Sequence, residues 1–176
     1  KKLGIKTENA FFNIKNTSKL KNKVDLILAS NVFAHNDDLN ELFSSMKKSL
    51  KSNGSIVIEV QYFLKTIKDY SFDNIYHEHV NYWTLTSLSN FMLNHECRIF
   101  NVEEINTHGG SLRVYISKNK KIKINKSVKS ILQNESKFGI NNKKTYLDYQ
   151  LELEKKKINV IKNMNWLKKK YNKIYG

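Results

Sequence analysis

A strand, a helix and a second strand follow one another between residues 24 and 62, and this pattern constrains the fold more than any other feature of the sequence. Val24 to Ser30 is a nearly continuous apolar run with β-branched residues, as expected of a strand buried on both faces of a parallel sheet. Ser55 to Tyr62 has the same character. The connection between them is long enough to hold a helix, which predicts two parallel strands of an α/β sheet.

The connection itself has a helical pattern. Apolar residues recur at helical spacing between residues 39 and 50. Asp37 or Asp38 can cap the start of this helix, and Asn53-Gly54 is predicted to end it.

The ends of these strands indicate where a ligand would bind. Open α/β sheets bind their ligands outside the carboxyl ends of the parallel strands, and residues 31–35 and 59–62 lie at those ends. The segment that follows, residues 62–83, is aromatic and has no clean periodicity. A loop of that length is uncommon unless it is a lid or part of a site, so we expect it to contribute to the binding pocket.

Further elements are predicted along the chain. Thr84 or Thr86 can cap a helix that runs through His95. Cys97 to Ile105 and Ser111 to Ile116 have the pattern of two strands, most simply an antiparallel pair at the edge of the sheet.

After Ser117 the sequence becomes basic and helical. A short amphipathic helix is predicted around Val128 to Phe138, and a long helix from Lys143, whose apolar stripe we expect to pack against another domain. The sequence therefore predicts one α/β domain over residues 1–118. A helical linker over residues 119–176 would lead into a further C-terminal domain.

Composition excludes several classes of protein. An apolar content of 40% over 176 residues fits a soluble globular domain. The formal net charge of +15 suggests nucleic acid, but nearly all basic residues are Lys, with Arg98 and Arg113 as the only arginines, and base readout relies on Arg. No apolar run approaches the roughly 20 residues of a membrane span, and the lone Cys97 can form no internal disulfide. We expect a cytoplasmic protein with no nucleic-acid or membrane partner.

Residues 75–79 (IYHEH) hold two imidazoles, a carboxylate and a phenol in four consecutive positions. Structural needs seldom require such a density of acid, base and hydrogen-bonding groups. The density favours acid–base catalysis by His79 or His35, supported by Glu78 and Tyr76. A metal site is the alternative, because the His-x-His of this segment together with His35 is a known three-ligand geometry.

His108 stands directly before two glycines, Gly109 and Gly110. Such a segment is either a tight turn or a backbone nest that receives a phosphate. The residues alone leave both interpretations open.

Three segments resemble the signature segments of the S-adenosylmethionine-dependent sugar C-methyltransferases in sequence, order and spacing: NVFAH at residues 31–35, IYHEH at 75–79 and THGGSLRV at 107–114. The resemblance extends over roughly residues 3 to 117. It implies a Rossmann-like class I methyltransferase core, a parallel sheet with an antiparallel edge strand, truncated at its N-terminus and followed by helices. The implied reaction is methylation of a carbon of a nucleotide-linked deoxy-keto-sugar.

The same resemblance implies roles for individual residues. His79 is the expected general base, with His35, Tyr76 and Glu78 around the sugar. The residues expected near the methyl donor are Asn31 and Ser30. The residues expected to bind the substrate are His77, His108, Gly109, Gly110 and Arg113.

The chemistry of this reaction suits these residue types. A carbon next to a ketone loses a proton only with difficulty in water, so the enzyme needs a base held against the C–H and donors aimed at the enolate oxygen. A His base with a carboxylate fixing its tautomer would supply the first requirement, and Tyr76 or a second imidazole the second. No metal is required for that step, because the methyl donor arrives already activated.

Several parts of the family pattern are expected outside this chain. The glycine-rich loop, the acid that binds the ribose and the zinc-binding segment would all lie upstream of Lys1. We therefore expect S-adenosylmethionine as the cofactor of the whole protein, and zinc only in that absent segment. The expected partners are a nucleotide-linked keto-sugar and the missing N- and C-terminal domains. A His-based metal-dependent hydrolase and a catalytically silent basic scaffold are the alternatives.

Overall fold

A computed structural model describes residues 4–171 and 173–175 of the chain. The chain divides into two compact units, Lys1–Glu135 and Ser136–Gly176. The predicted boundary between a domain of residues 1–118 and a linker of residues 119–176 stays a prediction. The last residue of that predicted linker, Gly176, lies outside the described residues.

The first unit is built on a four-stranded mixed sheet. Its strands are β1 (Val24–Ser30), β2 (Leu50–Gln61), β3 (Arg98–Ile105) and β4 (Ser111–Ser117), in the spatial order β1-β2-β4-β3. β1 and β2 are parallel, whereas β4 is antiparallel to both of its neighbours. This topology confirms the predicted α/β fold, including the antiparallel pair at the edge.

Four helices accompany the sheet: α1 (Leu39–Ser49), α2 (Phe63–Asp69), α3 (Leu85–Asn94) and α4 (Lys126–Phe138). Short 3-10 turns occur at Ser18–Leu20, Phe33–His35 and Phe72–Asn74. In the second unit, α5 (Lys143–Lys170) begins after Asn142, whose side chain accepts a hydrogen bond from the Lys144 amide. Within the described residues, no helix combines the length and the apolar character needed to cross a membrane.

Helix starts follow the predicted capping residues. Asp38 accepts a hydrogen bond from the Glu41 amide at 2.8 Å at the start of α1. Thr84 and Ser87 form a reciprocal capping box at the start of α3. Two other predictions are wrong: Asn53-Gly54 lies within β2 and does not end α1, and α2 occupies part of the segment predicted to be a loop.

A buried carboxylate provides a second cap for α3. Glu135 of α4 is fully buried and accepts hydrogen bonds from the backbone amides of Leu85 (2.6 Å) and Thr86 (2.8 Å). The first amides of a helix have no partner within the helix and suit a negative charge, which offsets the cost of burying the carboxylate. Burial, with Glu135 nearby, also raises the pKa of the Tyr62 hydroxyl.

The core lies on one face of the sheet. Ile27 and Ala29 of β1 are buried, whereas the alternate residues Leu26 and Leu28 point outward and are 53% and 70% exposed. β1 is therefore buried on one face only, and the expectation of burial on both faces is wrong. In the covered layer, the fully buried ring of Phe33 meets Phe43, Trp83 and Phe91 edge-on at centroid distances of 6.3 to 6.4 Å.

Gly54 lies where β2 approaches β1 closely. A Cβ atom at this position would come within 2.8 Å of the Leu50 side chain and 2.9 Å of the Asp25 carbonyl oxygen. We expect Gly54→Ala to lower the free energy of unfolding by about 1–3 kcal/mol, because the Asp25 carbonyl oxygen is part of the β1 backbone and cannot withdraw without moving the strand pair. Urea denaturation checks this, with the exposed neighbour Asn53→Ala as the control, expected within about 0.5 kcal/mol of the parent. Equal stability of Gly54→Ala and the parent would contradict the prediction.

Candidate active site

A pocket of about 200 Å³ opens at the carboxyl ends of β1 and β2. This is the edge at which α/β sheets bind ligands. Its lining residues come from both strand ends and from the segments that follow them: Asn31, Ala34, His35, Val60, Gln61, Asn74, Tyr76, His79 and His108. Of the residues predicted for the site, the structure thus brings together Asn31, His35, Tyr76, His79 and His108.

His79 is oriented by the backbone. Its Nδ1 lies 2.9 Å from the carbonyl oxygen of Asn74. A carbonyl only accepts, so Nδ1 carries the proton and Nε2 of the neutral ring keeps a lone pair. The Tyr76 hydroxyl lies 3.3 Å from that Nε2, and the two rings are 4.3 Å apart between centroids. The ring is thus held in the tautomer that a base requires.

His35 is held in the same way. Its Nδ1 donates to the carbonyl oxygen of Glu78 at 2.9 Å, which leaves the lone pair on Nε2. The His35 and His79 rings lie 4.8 Å apart between centroids. The pocket therefore contains two adjacent imidazoles, each with its Nδ1 proton committed to a backbone carbonyl.

Asn31 and His108 meet across the end of β2. The Asn31 side-chain nitrogen lies 3.2 Å from His108 Nε2, and the Gln61 side chain donates to the His108 carbonyl at 3.3 Å. Both Asn31 (φ 55°) and His108 (φ 50°) have left-handed backbone conformations. Such conformations are uncommon outside glycine and cluster at functional sites.

The glycines after His108 form a turn against α2. The Gly110 amide donates to the Thr107 carbonyl at 2.9 Å, and the Tyr62 amide donates to the Gly110 carbonyl at 3.0 Å. Gly109 (φ 77°) and Gly110 (φ 114°) continue the positive backbone angles of His108. The turn therefore fixes the loop to the start of α2, and the Lys65 side chain lies against Gly110.

Besides Gly109 and Gly110, four predicted residues lie apart from the pocket lining. The side chains of His77 and Glu78 are mainly exposed and lie 4.0 Å from each other, so Glu78 holds His35 through its backbone and not through its carboxylate. Arg113 forms an ion pair with Glu59 at 2.8 Å on the other face of the sheet. The Arg113 hydrogen bond is the main cause that holds the pKa of Glu59 below its ordinary value, and Ser30 also contacts this carboxylate.

Sequence reasoning placed residues 59–62 and 62–83 at the site but assigned no role to three residues whose contacts hold it together. Asn74 supplies the carbonyl that orients His79, Gln61 holds His108, and Asn81 donates from its side chain to the Asn36 carbonyl at 2.9 Å. All three contacts involve a backbone carbonyl, which every residue type offers. The sequence therefore could not indicate which carbonyl each side chain meets.

An α/β sheet with a polar pocket at the carboxyl ends of its parallel strands is the arrangement in which α/β domains bind small molecules. The chain belongs to the methyltransferase domain family, whose model matches residues 5–101. A second model, the C-methyltransferase C-terminal domain, matches residues 106–176.

One curated protein is similar in sequence. The C-methyltransferase NovU of Streptomyces niveus is 33% identical over 90 residues, which cover 51% of this chain and 21% of that protein. The match therefore spans about a fifth of the length of this relative.

Two solved structures have a partial likeness to the chain. The PH0226 protein from Pyrococcus horikoshii OT3 aligns at a TM-score of 0.43 and 13% identity, over 55% of this chain and 52% of its own. A structure titled "Conversion of a Disulfide Bond into a Thioacetal Group during Echinomycin Biosynthesis" aligns at 0.39 and 10% identity, over 60% and 54%.

We expect no stoichiometric metal at His35, His77 and His79. Among the described residues, no group of three or more His, Cys, Asp or Glu side chains is arranged to hold a metal ion. The His77 side chain is 90% exposed, so the third imidazole of the possible set is not held beside the pair formed by His35 and His79. Elemental analysis of the purified chain checks this. One equivalent of metal that is lost on His77→Ala would reverse the assignment.

Proposed function

We propose that this chain is the catalytic part of an S-adenosylmethionine-dependent C-methyltransferase that acts next to the ketone of a nucleotide-linked deoxy-keto-sugar. The observation that carries the proposal is the pair of imidazoles in the pocket, each fixed through Nδ1 by a backbone carbonyl. Membership of the methyltransferase domain family and the similarity to a C-methyltransferase support the reaction class.

In this proposal His79 is the general base. Its Nε2 lone pair takes the proton from the carbon next to the ketone, and the resulting imidazolium is stabilised by the Asn74 carbonyl on Nδ1. The Tyr76 hydroxyl, 3.3 Å from the same Nε2, is the proposed donor to the developing enolate oxygen once the bound substrate displaces it from the imidazole lone pair. His35, 4.8 Å from His79 between ring centroids, offers a second imidazole for the same oxygen or for the sugar hydroxyls.

The residues at the end of β1 suit the methionine part of the methyl donor, which carries an ammonium group. S-Adenosylmethionine supplies an activated methyl group when bound. Asn31 offers a side-chain oxygen that can accept from an ammonium group, and the Ser30 hydroxyl lies one residue earlier at the same strand end. Both positions stand at the carboxyl end of a parallel strand, where open α/β sheets hold such ligands.

The proposed substrate extends beyond the imidazole pair. The loop at His108, Gly109 and Gly110 is the proposed contact for the nucleotide-linked part, either as a turn that shapes the pocket or as a nest for phosphate. His77 and Arg113 are proposed to reach the substrate only in the whole protein, where other domains complete the site. That protein is proposed to be cytoplasmic and to carry the glycine-rich loop, a zinc-binding segment and a complete C-terminal domain.

We expect the 176-residue chain alone to bind S-adenosylmethionine weakly or not at all. In folds of this kind, the glycine-rich turn and the ribose-binding acid supply much of the affinity for the cofactor. The sequence has no such turn before β1. Isothermal titration calorimetry of the chain measures this directly. Micromolar binding would show that the chain holds a complete donor site and would contradict the proposed division of the protein.

The role of His79 can be measured in the full-length protein. Forming the enolate needs the keto-sugar and the imidazole but not the methyl group, so proton abstraction is separable from methyl transfer. In deuterated water, with substrate and a demethylated donor product, the parent should exchange the proton next to the ketone. His79→Asn should lower both exchange and methylation by about 10²- to 10⁴-fold, because it keeps much of the shape but removes the base.

Two further variants serve as controls for this measurement. Tyr76→Phe should lower the rates of exchange and methylation less than His79→Asn does, because it removes one hydrogen-bond donor and leaves the others. His35→Asn tests the neighbouring imidazole. Normal exchange by His79→Asn together with loss of exchange in His35→Asn would assign the base to His35.

A further inference from the structure

Two loops that lie far apart in sequence carry the two imidazoles. The loop after β1, residues 31–36, carries His35, and the loop before α3, residues 74–83, carries His79. We propose that Asn81 is a positioning residue that joins these loops and so sets His35 beside His79. This inference rests on the proposed acid–base function of His35 and His79. The resemblance to the sugar C-methyltransferases gives no role to Asn81, and Asn81 does not line the pocket.

Asn81 contacts the first loop through its backbone and its side chain. Its amide donates to the Ala34 carbonyl at 3.2 Å, and the amide of Val80 donates to the same oxygen at 2.9 Å. The Asn81 side-chain nitrogen donates to the Asn36 carbonyl at 2.9 Å and approaches the Phe33 carbonyl at 3.5 Å. Residues on either side of His35 are thereby bound to the loop of His79.

The ring of His35 depends on this connection. Residue 35 is exposed, and its ring is held by one hydrogen bond, from Nδ1 to the carbonyl oxygen of Glu78. That oxygen belongs to the same loop as Asn81, three residues earlier. The ring therefore keeps its tautomer only while the two loops hold their relative position, which the Asn81 side chain helps to fix.

The amide group suits this position for a specific reason. The groups it faces are carbonyl oxygens, which require a donor, and Asn81 is half-buried, so water replaces a lost donor poorly. Asparagine offers two N–H donors on a short side chain. An aspartate of the same shape would place a carboxylate oxygen against a carbonyl oxygen and would repel it.

The test compares variants that separate hydrogen bonding from packing. Asn81→Asp keeps the shape and removes the donor, whereas Asn81→Ser shortens the side chain and keeps a donor. Asn36→Ala is the matched control, because it changes the same loop but retains the backbone carbonyl that Asn81 binds. His95, whose Nε2 lies 3.0 Å from the Asn40 side chain outside this pocket, reports that each variant is folded.

The first measurement is the tautomer of each histidine, read from ¹⁵N NMR of the histidine-labelled full-length protein. We expect both His35 and His79 to carry the proton on Nδ1 in the parent and in Asn36→Ala. In Asn81→Asp, His35 should become a mixture of tautomers while the His95 signals stay unchanged, and Asn81→Ser should lie between. A parent His35 protonated on Nε2 would overturn the proposal, whatever the folding of the variants.

The second measurement is substrate proton exchange by the same proteins. Asn81→Asp should exchange the substrate proton roughly 10- to 100-fold more slowly than Asn36→Ala, because even a small displacement of a catalytic group lowers the reaction rate strongly. Parent-like tautomers and parent-like exchange in Asn81→Asp would overturn the positioning role and leave the proposed function intact. Normal exchange in both His79→Asn and His35→Asn would instead contradict the proposed function, while the tautomer measurement would still decide the role of Asn81.

Discussion

The hydrogen bonds from two imidazole Nδ1 atoms to two backbone carbonyls are the contacts on which the proposed chemistry of the site depends. The carbonyls of Asn74 and Glu78 accept from His79 and His35 at 2.9 Å each. A backbone carbonyl can only accept, so each contact favours the same tautomer that a carboxylate would favour, although without the added strength of a charge. Both rings consequently have their lone pairs on Nε2, which is the arrangement that proton abstraction requires.

These contacts hold only because the loops that make them are anchored in the core. The fully buried ring of Phe33 lies two residues before His35 and packs edge-on against aromatic rings of α1, α3 and the segment before α3. Trp83, one of those rings, ends the loop that carries His79. A single aromatic cluster therefore supports both loops, and rigid support of this kind is what catalytic geometry needs.

The two faces of the sheet serve different purposes in this chain. The face that carries Ile27 and Ala29 packs on the helices and sets the strand ends that form the pocket. The other face carries the exposed Leu26 and Leu28, together with the ion pair of Glu59 and Arg113. The site is consequently built from residues that end the strands, and less from residues within them.

The sequence by itself determined the α/β class, the strands, the helices other than α2 and the edge at which the pocket forms, because apolar periodicity and capping residues such as Asp38 and Thr84 act locally. No periodicity indicated α2, which lies in the segment predicted to be a loop. It also identified His35, Tyr76 and His79 as neighbours in a site. Only the tertiary structure decided what orients the imidazoles. The carboxylate of Glu78 was the expected partner, but carbonyl groups, which no residue type distinguishes, hold both rings. The structure likewise decided that β1 is buried on one face, because burial depends on which elements pack against a strand and not on the strand's own residues.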